Sequence, residues 1–128
     1  MKILLDTQML IWASLDILPR DAEKYIIDES NQLFFSPANI WEVVIKNGLG
    51  RPDFSVDPRI LYNSLIENGY DELHITSQHT LFTGIIPALH KDPFDRLLLA
   101  QSIAEQIPIL TSDSIMTKYP ASVIYVKN

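Results

Sequence analysis

HKDPFDRLLLAQSIAEQIPILTSD, residues 90–113, carries a helix start, a helix and a strand in one uninterrupted run. Asp92-Pro93 is the start. The aspartate side chain can accept the free backbone N–H groups of a first turn, and a proline at the first helical position sacrifices no hydrogen bond. The residues that follow read as a helix to about Gln106. Ile107–Leu110 then reads as a strand, since a short continuous apolar run suits a strand covered on both faces. Two acids interrupt this apolar stretch. Asp95 has Leu98 and Leu99 at i+3 and i+4, so its face of the helix is not a solvated one. Asp113 closes the run, just past the strand.

The same alternation extends to both ends of the chain. Lys2–Asp6 reads as a buried strand, Thr7–Ser14 as a helix, and Asp21–Glu29 as another helix after Pro19. Gln32–Phe35 reads as a second strand. Ser36-Pro37 repeats the cap-then-proline signal and opens a helix to about Asn47, ended by Gly48 and Gly50. A loop over 51–58 leads to a helix at Arg59–Asn68, capped by Gly69. A short strand at Leu73–Ile75, a short helix at Ser77–Thr83 and a last strand at Val123–Val126 complete the reading. Strands alternating with helices imply an α/β fold with a mostly parallel sheet covered on both faces. No repeat or linker divides the chain, so residues 1–128 form a single domain.

Composition narrows the function classes. At 128 residues, 47% apolar and 20% charged, the chain can bury a core and is not of the disordered type. It has no cysteine, which excludes disulfides and thiolate metal sites. No apolar run reaches the roughly 20 residues of a membrane helix. Asp6 interrupts the apolar N-terminus and no small-residue cleavage site follows, so a signal peptide is not expected and a cytoplasmic protein is. The net charge of −6 disfavours tight nonspecific binding to nucleic acid, which relies on Lys and Arg. Acids gathered in one pocket count toward that total, however, and bound cations would offset them.

Four acids sit where strands hand over to helices: Asp6, Glu42, Asp95 and Asp113. In a parallel sheet the strand carboxyl ends and the following helix amino ends share one edge, and ligands bind there. Two charges about 4 Å apart repel by roughly 4 kcal/mol at an effective dielectric of 20. Such a cluster in apolar surroundings must be partly protonated or hold a cation. All-oxygen sites favour Mg²⁺ or Mn²⁺ over zinc. Each acid also has an ordinary structural explanation. Asp6 can cap the helix at Thr7, Glu42 can pair with Lys46, Asp95 suits a first helical turn, and Asp113 can cap a turn after Thr111 and Ser112. What weakens these explanations jointly is the shared edge.

LLDTQMLIW (4–12), SPANIWEVVIKNGLG (36–50), HKDPFDRLLLAQSIAE (90–105), and ILTSD (109–113) followed by Tyr119 and VIYV (123–126) together resemble PIN-domain proteins of the VapC-like toxin type. The His-x-Asp-Pro-Phe-Asp-Arg helix is the most specific part, and the resemblance covers nearly the whole chain. It implies a PIN-like three-layer sandwich and a metal-dependent endoribonuclease that hydrolyses RNA phosphodiester bonds. Asp6, Glu42, Asp95 and Asp113 would hold one or two Mg²⁺ or Mn²⁺ ions, with an activated water attacking the phosphate in line. Asp6, Asp95 and Asp113 rank first as ligands, and Glu42 either ligates or orients the water. The resemblance also implies an antitoxin partner whose tail covers the groove, and a homodimer. Many relatives carry His at the place of Gln8 and Ser at the place of Asn39, which bears on substrate contacts more than on the acids.

Three further residues are candidates for contact with substrate: Thr111, Arg96 and Lys46. Thr111 could equally bond a carboxylate of the site or serve as a turn device, Arg96 could meet an acid of the site or form a surface ion pair, and Lys46 could pair with Glu42. His74, His79 and His90 suggest no ligand cluster; the place of His90 just before Asp92 can bring it near the pocket, but it is assigned no role. Trp12 and Trp41 fit core or interface positions. The alternative function is a catalytically silent PIN-fold module that binds RNA or a protein. A phosphotransferase with Asp6 as nucleophile would want a second Asp two residues on, where this chain has Gln8.

Overall fold

A computed structural model describes residues 1–50 and 55–128. Among the described residues five strands form one sheet: β1 (Lys2–Leu5), β2 (Gln32–Phe35), β3 (Asp71–Glu72), β4 (Ile109–Thr111) and β5 (Val123–Tyr125). Their spatial order is β3-β2-β1-β4-β5 and every pairing is parallel. The helices are α1 (Thr7–Ser14), α2 (Arg20–Ile27), α3 (Pro37–Gly48), α4 (Pro58–Glu67), α5 (Ser77–Phe82) and α6 (Pro93–Glu105), with a 3₁₀ turn at Ser114–Lys118.

Side chains alternate across a strand, and this alternation divides the core into two layers. Ile3, Leu5, Phe35 and Leu110 point to one face, where they meet Met9 and Leu10 of α1, Val43 of α3, and Leu61 and Leu65 of α4. Leu4, Phe34 and Ile109 point to the other, against Leu98 and Leu99 of α6, Met116 and Tyr119. The result is the expected sandwich of helices, parallel sheet and helices.

The cap-and-proline signals operate as read. Ser36 opens α3 with a full capping box, in which Asn39 answers the Ser36 N–H at 2.7 Å. Asp92 opens α6 by accepting from the Phe94 and Asp95 N–H groups. Gln106 ends that helix in the left-handed conformation, φ 56°.

Beyond shifts of one or two residues at element ends, three details depart from the sequence reading. The third strand lies at Asp71–Glu72, upstream of the expected Leu73–Ile75. Leu73 and Ile75 were apolar because they pack on the second core layer, whereas edge pairing is a backbone matter. Residues 114–118 wind into a 3₁₀ turn with no apolar period to announce it. Of the loop expected over 51–58, residues 51–54 lie outside the described residues, while Asp57 caps α4 and Pro58 begins it.

Leu110 is fully buried in a strand paired on both sides. Leu110→Ala is expected to lower unfolding free energy by about 2–5 kcal/mol through lost contacts and a residual cavity. Urea denaturation checks this; a loss under about 1 kcal/mol would mean the site collapses freely.

Candidate metal centre

The strand order reverses direction between β1 and β4, and a ligand crevice is expected at the carboxyl end of such a junction. Asp6 follows β1 and caps α1, its Oδ1 accepting from the Met9 N–H at 2.9 Å. Its Oδ2 accepts from the hydroxyl of Thr111, the last residue of β4. The Thr111 hydroxyl in turn accepts from the Asp113 N–H at 2.9 Å. Asp113 caps the 3₁₀ turn through the Ile115 N–H, 2.9 Å. Asp6, Thr111 and Asp113 thus form one hydrogen-bonded chain across the β1/β4 junction.

Glu42 reaches the same place from the second turn of α3. Thr7 donates its hydroxyl to Glu42 Oε1 at 2.5 Å, and the Asn39 amide donates to the Thr7 oxygen at 3.0 Å. Lys46, one turn on, pairs with Glu42 Oε2 and lies 3.9 Å from Asp92 Oδ2. Asp95 arrives from the first turn of α6, its position fixed by Leu98 and Leu99 packing into the core behind it. All four acids line one cleft of about 160 Å³, and Lys46 lines it with them.

Electrostatics make this crowding explicit. Burial, opposed by the Thr111 and Met9 hydrogen bonds and aided by the charges of Glu42 and Asp113, pushes the Asp6 carboxyl up to about 6. Burial, with the charges of Asp92, Glu42, Asp6 and Asp113, pushes Asp95 up to about 8. Burial favours a neutral Lys46, but the hydrogen bond and charge of Glu42, with Asp92 and Asp95 beyond, outweigh it and raise its pKa. A cleft that keeps a proton on a carboxyl near neutrality is short of positive charge. Its donors are chiefly carboxylate oxygens, which suit a hard divalent cation.

The structure therefore brings the four predicted acids together, with Lys46 among them. It also adds His90. The His90, Asp95 and Asp113 donor atoms all lie within 4.8 Å of one another. Nothing in the periodicity of the chain marked this histidine; the available signal was its place two residues before the Asp92 cap, inside the most specific motif. His74 and His79 sit elsewhere, paired with Glu72 and Glu105.

Two of the substrate-contact candidates do not line the cleft. Thr111 is fully buried, and its hydroxyl joins Asp6 to Asp113, so it serves the carboxylates. Arg96 does not line the cleft. Its guanidinium donates to the Pro87 and Thr83 carbonyls, tying the loop before α6 to the helix, and among the described residues it makes no ion pair. Trp12 packs against the first core layer, whereas Trp41 is 59% exposed and meets Phe94 edge-on at 5.2 Å.

Residues 3–121 match the PIN domain family, and the chain belongs to it. The fold is shared with toxin–antitoxin structures at low identity. The VapBC2 structure of Rickettsia felis, bound to a DNA fragment from its promoter, superposes with a TM-score of 0.71 at 15% identity, covering 99% of this chain and 98% of that one. The DNA-bound VapBC of Salmonella typhimurium gives 0.71 at 16% identity, with 98% of each chain covered. VapBC-5 of Mycobacterium tuberculosis gives 0.59 at 15%, covering 99% and 98%. No curated protein matches by sequence.

The raised carboxyls carry a pH signature. Folded, metal-free protein keeps the Asp95 proton up to about pH 8, while an unfolded chain releases it near 3.8. Between those values folding takes up a proton, so stability falls as pH rises. In chelator, the wild-type melting temperature is expected to drop between about pH 6 and about pH 8, and Asp95→Asn to flatten that slope. Parallel slopes for the two proteins, by thermal unfolding, would contradict the assignment.

Proposed function

We propose that this chain is a Mg²⁺- or Mn²⁺-dependent endoribonuclease, the toxin of a toxin–antitoxin pair. The observation that carries the reading is the convergence of Asp6, Glu42, Asp95 and Asp113 on one cleft, where burial and neighbouring charge raise the Asp6 and Asp95 carboxyls. Membership of the PIN domain family supports it, as do the solved neighbours, which are VapBC toxin–antitoxin structures.

Asp6, Asp95 and Asp113 are the residues that would hold one or two ions, with Glu42 as a further ligand or as the group that orients water. When bound, a divalent ion supplies the charge that makes water more acidic and draws electron density from a scissile phosphate. The chain's own residues do the rest. Thr111 and the Met9 N–H hold both Asp6 oxygens in place. Thr7 and Lys46 hold the Glu42 carboxylate between them, so it meets the cleft in one orientation. Lys46 is the cationic side chain lining the cleft, and it is the group we assign to an RNA phosphate.

The same reading carries the partners. A cognate antitoxin with a basic tail complements the acidic cleft, and a homodimer offers cover for exposed apolar residues such as Trp41, Val44 and Ile45 on α3. Among the described residues no helix is long and apolar enough to cross a membrane, which is compatible with the proposed cytoplasmic location.

The test is cleavage of a mixed RNA pool by the intact chain with and without Mg²⁺ or Mn²⁺. Asp6→Asn and Asp95→Asn should each lose more than about 100-fold in rate, since even indirect partners of metal ligands cost 10–100-fold. Their circular dichroism should match that of wild type. Equal cleavage by all three proteins would sink the nuclease assignment. Retained RNA or antitoxin binding, with no cleavage of any RNA at saturating metal, would favour the silent module instead.

A further inference from the structure

His90 stands close enough to Asp95 and Asp113 to look like a third metal ligand. Its Nε2 lies 2.8 Å from Asp113 Oδ2 and 3.2 Å from Asp95 Oδ2. The other ring nitrogen decides the matter. Nδ1 accepts a hydrogen bond from the Asp92 N–H at 3.2 Å. A backbone amide only donates, so Nδ1 carries no proton, and a neutral ring must carry its proton on Nε2. Nε2–H therefore donates to Asp113 and faces Asp95.

A metal ion on Nε2 would displace that proton to Nδ1, where it would meet the Asp92 N–H head on. Metal-ligating histidines normally show the reverse arrangement, donating the distal N–H to a carboxylate or carbonyl. Here the distal nitrogen is offered a donor. The backbone holds the ring against turning away from this bond: the His90 N–H donates to the hydroxyl of buried Tyr119 at 2.6 Å, and Asp92 is itself locked as the cap of α6.

We infer that His90 is a positioning residue, which holds the Asp113 carboxylate by its Nε2–H, beside Asp95, from outside the ligand set. This rests on reading the cleft as a divalent-metal site. The role explains a structural oddity. Asp113 caps a short 3₁₀ turn and Asp95 lies on a helix of a different segment, and among the described residues no main-chain hydrogen bond ties one carboxylate to the other. The histidine is the bridge. By accepting from Asp92 it also passes the order of the α6 cap to the pair, so the cap of one helix sets the spacing of two acids.

Mn²⁺ is the probe, added to the untagged full chain and followed by electron paramagnetic resonance. Bound Mn²⁺ should show no imidazole nitrogen coupling in pulsed spectra of wild type. His90→Ala should weaken Mn²⁺ binding by about 10- to 100-fold, the usual cost of losing a partner of a ligand. His90→Gln, whose amide can donate from nearly the Nε2 position, should recover most of that loss. Nitrogen coupling in wild type that vanishes in His90→Gln would make His90 a ligand and overturn the inference. So would unchanged Mn²⁺ affinity in a folded His90→Ala, or a His90→Gln as weak as His90→Ala. The spectrum of wild type needs no variant, so misfolding of His90→Ala leaves the question decidable. Failure of wild type to bind Mn²⁺ at all would instead bring down the metal reading on which this one stands.

Discussion

Several carboxylates share one small, largely buried cleft, and the rest of the molecule is arranged around that fact. At an effective dielectric of 20, like charges about 4 Å apart cost roughly 4 kcal/mol per pair. Asp95 shows the effect most, held near pH 8 by burial and by the surrounding acids. A protein tolerates such a cost only where a stable frame over-determines the positions of the offending groups. The frame here is the parallel sheet. Its β1/β4 junction delivers Asp6 and Asp113 side by side, and α3 and α6 bring Glu42 and Asp95 across to them. Lys46 offsets part of the charge from within.

Much of this was legible in the chain because it depends on local physics. Continuous apolar runs named β1, β2 and β4, and proline placed next to Ser36 and Asp92 located two helix starts to the residue. Parallel topology followed from alternation, and the common edge of the acids followed from topology. What escaped the reading depends on packing or on backbone pairing instead. The edge strand β3 pairs at Asp71–Glu72 through main-chain groups that carry no compositional mark. The Arg96 guanidinium could be placed on carbonyls only once the turn at Thr83–Pro87 was seen beside α6. The role of His90 escaped for a related reason: its partners lie on segments whose proximity only the folded chain creates.

The ordinary explanations of three acids hold in the fold, and they are compatible with the proposed metal site. Asp6 does cap α1, Asp113 does cap the 3₁₀ turn, and Glu42 does pair with Lys46. Capping is what fixes these carboxylates, and their being fixed is what makes them usable. An acid on a free loop would relax away from its neighbours and lose the repulsion that makes a cation welcome. One bound by its own helix start cannot.

Capping does not exhaust these groups as ligands, and the reason is geometric. An ionised carboxylate has about four lone-pair directions, two on each oxygen. Asp6 uses one lone pair on Oδ1 for the Met9 N–H and one on Oδ2 for Thr111, which leaves one on each oxygen. Glu42 is in the same position between Thr7 and Lys46. The remaining lone pairs belong to acids that line the cleft. A set of half-satisfied carboxylates fixed in this way is neither an apolar core nor a solvated surface. It is stable as folded only with protons, with Lys46, or with a cation in the cleft, and those three compete for the same oxygens.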